Sequence, residues 1–245
     1  MNPIIQSLFD RKSCRIFEDK DISQEDKTRI LQAAMQAPSA GNQQMYTIID
    51  VQDKKLQETL SKTCDNQSFI NQAKMVLIFC ADFQKWYDLF NYENCNSRKP
   101  GVGDLLLATT DATIAAQNAV VAAESLGIGS CYIGDILEQH DLHRKLLNLS
   151  EYVVPVCMLV LGYPAEDHFK RQKPQRCKLE DIVCVDYYHR KNEQELENMF
   201  EHKAVNKTLN EWATAFCSRK YNSDFSKEMT KSVQKYIDQF KSEAD

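Results

Sequence analysis

The sequence predicts an α/β sandwich, a central sheet flanked by helices, and three observations support this prediction. Helical segments alternate along the chain with short runs of β-branched, aromatic and other apolar residues. Hydrophobic residues make up 43% of the 245 positions, which is enough for a sizeable core. Only seven glycines occur, and none fits a glycine-rich dinucleotide turn or phosphate loop. Rossmann and P-loop architectures are therefore excluded.

The chain is predicted to begin with two helices, a loop and a strand. Asn2 can cap a first helix that has Pro3 at its first position. Ser23 marks the start of a second helix, which Pro38 ends. The β-branched and aromatic residues at 46–51 predict a strand after the intervening loop. A surface helix is predicted to follow at residues 54–64.

Buried strands and one long helix are predicted in the remainder of the core. Continuous apolar runs at residues 75–81 and 152–161 are typical of strands covered on both faces, and a shorter strand is predicted at 130–133. Residues 104–126 are apolar around most of a helix, so we expect burial on nearly all its sides. Two further helices are predicted, a surface helix at 138–147 that carries His140 and His143 and an amphipathic one at 229–240.

Composition excludes several classes of protein. The formal net charge is only −5, without long runs of like charge, which argues against nucleic-acid binding. Asp111 and Gln117 interrupt the long apolar helix and argue against a membrane span, and the first ten residues do not resemble a signal peptide. The nine cysteines form no C-x-x-C pair, so we expect free thiols and no metal site. We therefore expect a soluble, cytoplasmic protein.

Three polar segments are candidates for ligand binding. Residues 11–15 carry three cations and a serine, a combination that suits a phosphate monoester, although a solvated turn is an equal alternative. Residues 38–44 offer amides and a hydroxyl that could bind the polar edge of a heterocycle. Residues 170–176 carry four cations. Taken singly, the last two segments are more typical of ordinary surface loops.

Taken together and in this order, these segments resemble the FMN-dependent nitroreductase family. The matching stretches are RKSCRIF, APSAGNQQ, NQ, AAESLGIGSCYIG and KPQRCKLEDIV, at residues 11–17, 37–44, 66–67, 122–134 and 173–183. The resemblance is strongest to the oxygen-insensitive NAD(P)H nitroreductases and flavin reductases with a helical C-terminal extension. It divides the chain into an FMN-binding domain, residues 1–188, and an extension, residues 189–245.

The resemblance implies an α+β homodimer with FMN at the subunit interface and the long helix as the core of the dimer. Hydride would pass from NAD(P)H through FMN to small acceptors such as nitroaromatics, quinones or flavins, in a ping-pong reaction on the cofactor rather than on protein side chains. The implied FMN-binding residues are Arg11, Lys12, Ser13, Arg15, Ser39, Asn42, Gln67, Tyr132, Ile133, Gly134, Asp135, Lys173 and Arg176.

Of the departures from the family pattern, two concern the implied FMN site. Asp135 stands where the family has the second glycine of a doublet, which puts a carboxylate near the flavin. The segment from Lys173 to Arg176 is one residue longer than the usual motif, so both cations cannot keep their usual register. The sequence leaves two alternatives open, namely an FMN-binding protein without turnover and a thiol-based redox or metal protein.

Overall fold

Four antiparallel strands form the central sheet of the structure, a computed structural model that describes residues 1–241. The strands are β1 (Tyr46–Asp50), β2 (Met75–Asp82), β3 (Gly129–Ile133) and β4 (Val153–Gly162). They lie in the order β1-β2-β4-β3, so β2 and β4 occupy the centre. Every residue of β2 is buried, which explains its continuous apolar sequence. All four predicted strands are present, with ends shifted by at most one residue.

Helices cover both faces of this sheet. On one face, α2 (Gln24–Met35) and α6 (Val102–Ser125) pack their alanines and aliphatic side chains against β2 and β4. On the other face, α3 (Lys54–Thr63) and the short α4 (Ser68–Gln72) form a second core with the opposite sides of the same strands. The predicted sandwich of helices around a central sheet is therefore confirmed.

The other helices are α1 (Pro3–Asp10), α5 (Gln84–Tyr92), α7 (His140–Leu147), α8 (Glu166–Lys170), α9 (Leu179–Ile182), α10 (Glu193–Phe200), α11 (Leu209–Lys220) and α12 (Asp224–Asp238). Both predicted N-terminal caps are present, since Asn2 Oδ1 accepts from Ile4 N at 2.8 Å and Ser23 Oγ accepts from Asp26 N at 3.1 Å. Helix α5 was not among the elements predicted from the sequence.

The chain divides into two compact units. The first comprises Met1–Arg171 together with the chain from Met229 onward, and the second comprises Gln172–Glu228. In the first unit, the end of α12 packs into the core, where the rings of Tyr152 and Phe240 lie 5.3 Å apart. In the second unit, Trp212 stacks between Phe200 and Phe216. The predicted domain boundary after residue 188 stays a prediction, and residues 242–245 of the predicted extension lie outside the described residues.

One prediction about exposure is wrong, and another is met only in part by the single chain. Helix α6 is not buried on all sides of the single chain, because Leu106 is 64% exposed and Leu107 50% exposed on the face turned away from the sheet. The predicted surface helix at 138–147 starts later, at His140, and buries both of its histidines. His143 is fully buried because its ring nitrogens lie 3.0 Å from Ile136 O and 2.8 Å from Thr63 Oγ1, so the ring keeps polar partners inside the core.

Within residues 1–241, α6 is the one helix that is long and apolar enough to cross a membrane. Its long apolar segment is 44% buried inside the chain. The core helix of a water-soluble fold can have the same length and apolar composition. Asp111 in the middle of α6 is only 2% exposed and accepts hydrogen bonds from the backbone of the first unit. These contacts are those of a core helix.

Candidate functional site

The segment that follows α1 runs in an extended conformation beside the sheet. Cys14 N donates to Ser130 O at 2.8 Å, and Ala165 N donates to Ile16 O at 3.0 Å, so the segment lies between the start of β3 and the chain that leaves β4. This close approach requires Gly129, since a β-carbon there would lie 2.7 Å from Cys14 Cβ. The backbone of residues 11–16 is therefore fixed to the sheet.

Arg11, Ser13 and Arg15 converge on the thiol of Cys131 in β3. Because the segment is extended, alternate side chains share one side. Burial raises the pKa of the Cys131 thiol, while the charges of Arg15 and Arg11 and hydrogen bonding from Ser13 and Arg15 act in the opposite direction. Arg11 Nη1 is buried and has no hydrogen-bond partner within residues 1–241. Two guanidinium groups, a hydroxyl and an unpaired buried donor together make a site for an anion.

Lys12 lies on the other side of this extended segment. Its ammonium donates to Phe169 O at 3.3 Å and to Arg171 O. These two carbonyls lie at the end of the first unit, at and just after α8. Of the four residues in this segment that were expected to bind FMN, the structure groups Arg11, Ser13 and Arg15. The ammonium of Lys12 contacts backbone carbonyls instead.

The end of β3 supplies a second wall beside this cluster. The hydroxyl of Tyr132 donates to Gln117 Oε1 on α6 at 3.2 Å, and burial raises the pKa of this hydroxyl well above its usual value. Ile133 is only 2% exposed, so it can offer a ligand its backbone rather than its side chain. Gly134 is exposed, and a β-carbon built there would meet no atom within 4 Å. Open space therefore adjoins the chain at Gly134.

The loop before α4 joins the same cluster. Gln67 Nε2 donates to Asp135 Oδ2 at 3.1 Å and to Cys64 O at 2.9 Å. The guanidinium of Arg15 lies 5.9 Å from the centre of the Phe69 ring, two residues beyond Gln67. Three segments that are distant in sequence, residues 11–15, 67–69 and 131–135, thus meet in one place.

Ser39 and Asn42 lie in a separate loop that α6 holds in place. Asp111 accepts from Ala40 N and from Met45 N, both at 3.1 Å. Ser39 Oγ accepts from Gln44 N at 3.0 Å, and Asn42 has a positive φ of 55°, a conformation that asparagine tolerates. The polar contacts of Ser39 and Asn42 within the described chain stay inside this loop. Helix α6 contacts both places, since Asp111 accepts from this loop and Gln117 accepts from Tyr132 in β3.

Lys173 and Arg176 belong to the second compact unit, where residues 172–178 form neither helix nor strand. Their role in binding FMN therefore stays a prediction.

Several residues that shape the site were not identified from the sequence. Asp111 was noted only as an obstacle to a membrane span, although a buried acid in an alanine-rich helix is itself a signal of backbone hydrogen bonding. Trp86 was not assigned to the site either, and its Nε1 donates to Gln43 O at 2.9 Å and thereby supports the loop that carries Ser39. Cys131 and Gln117 were not assigned to the site from the sequence, because their contacts depend on the packing of β3.

The nine cysteines are all free thiols, and four of them are buried, at positions 14, 64, 80 and 131. Within the described residues, no group of three or more histidine, cysteine or carboxylate side chains is placed to hold a metal ion. These observations give no support to a thiol pair or a metal centre as the reactive group of the site.

Comparison with known proteins identifies the family. Residues 8–163 match the family model described as the nitroreductase family. The chain is 38% identical over 179 residues to the FMN reductase [NAD(P)H] of Bacillus subtilis, an alignment that covers 71% of this chain and 70% of the relative. It is 34% identical over 168 residues to the oxygen-insensitive NADPH nitroreductase of Salmonella typhimurium, with 68% of each chain covered.

Solved structures show the same architecture. The structure of NfrA2 from B. megaterium superposes with a TM-score of 0.83 at 31% sequence identity, and the match covers 99% of this chain and 100% of that one. The hypothetical oxidoreductase YcnD from Bacillus subtilis superposes with a TM-score of 0.80 at 30% identity over 96% and 98% of the two chains. From its sequence match and its fold, this chain belongs to the nitroreductase family.

Proposed function

We propose that this protein is an FMN-dependent oxidoreductase that takes hydride from NAD(P)H and passes the electrons to small-molecule acceptors. Relatives at 38% and 34% identity are named an FMN reductase and an NADPH nitroreductase. The observation that carries the proposal is the anion site, in which Arg11 has a buried, unpaired donor beside Ser13 and Arg15.

The residues of the site fit FMN. A phosphate monoester would give Arg11 Nη1 the acceptor that it otherwise lacks, and the forked donors of two arginines match its oxygens. Lys12, Lys173 and Arg176 are further candidates for the same anionic end. The open space beside Gly134 would receive the planar ring, with the backbone of residues 132–135 and the amide of Gln67 along its edge. Ser39 and Asn42 would contribute polar groups from their loop.

When bound, FMN supplies the hydride chemistry, because its ring accepts two electrons from a nicotinamide and donates them to a second substrate. The protein has to hold the cofactor and stabilise charge. In this chain Arg11 and Arg15 provide fixed positive charge, and Asp111 fixes the loop that carries Ser39. No side chain is assigned as a general acid, since solvent can protonate the product.

A homodimer is part of the proposal. Helix α1 exposes Ile4, Leu8 and Phe9, and α6 exposes Leu106 and Leu107, a set of large apolar side chains that a second copy would cover. A dimer would complete the burial of α6 that its sequence predicts. Nitroaromatics, quinones and free flavins are the proposed acceptors, and the free thiols fit a cytoplasmic location.

The test is a purification followed by two measurements. We expect a yellow protein, with flavin absorbance near ~450 nm, whose oxidation of NAD(P)H is stimulated by a nitrofuran or a quinone. Replacement of Arg11 by methionine should release FMN, while replacement of the exposed Arg29, whose guanidinium pairs with Glu25 on α2, should not. Bound flavin without stimulation by any acceptor would indicate a non-catalytic FMN-binding protein. A colourless protein that takes up no added FMN would refute the proposal.

A further inference from the structure

Asp135 lies in the first cluster, where residues 11–15, 67–69 and 131–135 meet. It begins a one-turn helix, residues 135–137, directly after β3 and the exposed Gly134. Its side chain is half-buried and accepts from Gln67 Nε2 at 3.1 Å, although the two residues are 68 positions apart. Both residues were independently expected to line the flavin, and the structure places them in contact. One wall of the proposed flavin site therefore carries a carboxylate.

The hydrogen bond between Gln67 and Asp135 sets the orientation of both side chains. The Nε2 of Gln67 faces two acceptors, Asp135 Oδ2 and Cys64 O, so the orientation of the amide is unambiguous. Both N–H groups of the amide are thereby occupied, and only Oε1 can face a ligand. In this arrangement Gln67 can accept a hydrogen bond from a ligand but cannot donate one.

No lysine, arginine or histidine forms an ion pair with Asp135 within residues 1–241, although Arg11 and Arg15 lie in the same cluster. Gln67 is the side chain that donates to it within residues 1–241, and a neutral amide leaves the negative charge in place. The adjacent space at Gly134 is open, so a molecule that enters there meets this charge. Interactions between charges are strong where a site is partly shielded from water.

We propose that Asp135 is a specificity-determining residue that disfavours anionic electron acceptors and lowers the reduction potential of the bound flavin. A fixed carboxylate repels an acceptor that carries a carboxylate or sulfonate, while it leaves a neutral acceptor of the same shape unaffected. The same charge opposes the gain of electrons by the flavin, so the oxidised form is favoured. This inference rests on the proposed function, because it requires FMN in the site.

The test compares wild type with Asp135→Asn, which keeps the shape and removes the charge, and with Asp135→Gly, which removes the side chain. The holoenzyme is photoreduced and mixed with 4-nitrobenzoate or with the neutral 4-nitrobenzamide, so the nicotinamide takes no part in the measured step. Asp50→Asn is the matched control, since Asp50 also accepts from a glutamine amide, that of Gln52 at 2.7 Å, but lies on β1.

We expect both Asp135 variants to raise the rate with 4-nitrobenzoate relative to 4-nitrobenzamide by about tenfold, with Asp50→Asn unchanged. The midpoint potential of the bound flavin should rise in both variants, and a tenfold change in the redox equilibrium corresponds to about 30 mV for two electrons. An unchanged ratio of rates, or an unchanged potential in both variants, would overturn the inference. Failure of wild type to bind FMN or to reduce either compound would instead overturn the proposed function.

Discussion

Replacement of Asp111 by asparagine tests how the loop that carries Ser39 is held. The carboxylate accepts from two backbone N–H groups, those of Ala40 and Met45, both at 3.1 Å, and Asp111 is only 2% exposed. Asparagine keeps one acceptor oxygen but turns an NH₂ group toward the other N–H donor. One hydrogen bond to a charged acceptor is then lost and one buried donor is left unsatisfied, which costs about 2–3 kcal/mol.

The expected loss can be measured by urea denaturation of the apoprotein at one fixed protein concentration. With a denaturant slope of about 3 kcal/mol/M for a chain of this size, the midpoint should fall by roughly 0.7–1 M. Because the loop also carries two proposed flavin ligands, the dissociation constant for FMN should rise about tenfold, which corresponds to about 1.4 kcal/mol.

A second acid on the same helix provides the control. Asp104 pairs with Arg98 and accepts from Gly101 N at 2.8 Å, at the start of α6 rather than beside the loop. Asp104→Asn should lower stability but leave the affinity for FMN unchanged. If Asp111→Asn and Asp104→Asn lower stability equally and neither weakens FMN binding, Asp111 does not position the loop for the cofactor.

Three further predictions concern the anion site, the packing of β3 and the start of α6. Arg11→Met should weaken FMN binding by about 10- to 100-fold, measured by flavin fluorescence, since a charge-assisted hydrogen bond contributes about 1.5–3 kcal/mol. Gly129→Ala should destabilise the protein by about 1–3 kcal/mol, because the new β-carbon would lie 2.7 Å from a side-chain atom, whereas Gly103→Ala meets no atom within 4 Å. Arg98→Met should reduce stability at pH 7 by less than about 1 kcal/mol, since the pair is largely exposed on the arginine side, and by still less at pH 3.

The sign of the pH effect follows from the pKa of Asp104. Arg98 lowers this pKa below the ordinary value of 3.8, so the pair stabilises the folded protein above that value and loses its effect as the pH falls through the folded-state pKa. A difference between wild type and Arg98→Met that grows toward acid pH would contradict this assignment. Equal stabilities for Gly129→Ala and Gly103→Ala would contradict the packing argument, and unaltered flavin affinity in Arg11→Met would contradict the anion site.

The regular elements of the core could be predicted from the sequence because their signals are local. The cap at Ser23 joins its hydroxyl to the backbone N–H three residues further on, and the apolar run of β2 reflects burial on both of its faces. The resemblance to the nitroreductases could also be recognised, since it depends on short motifs in a fixed order. The exposure of Leu106 and Leu107 on α6 could not be predicted, because an apolar helix has the same sequence whether its own chain or a second copy covers it.

The sequence by itself determined the family, the central sheet and the segments that are candidates for binding FMN. Only the tertiary structure decided which candidates meet. It brings Arg11, Ser13 and Arg15 to Cys131 and joins Gln67 to Asp135 by a hydrogen bond. The ammonium of Lys12 instead donates to backbone carbonyls. The physical reason is that alternation along an extended segment and strand order in a sheet set the directions of side chains, and strand order depends on contacts between residues far apart in the chain.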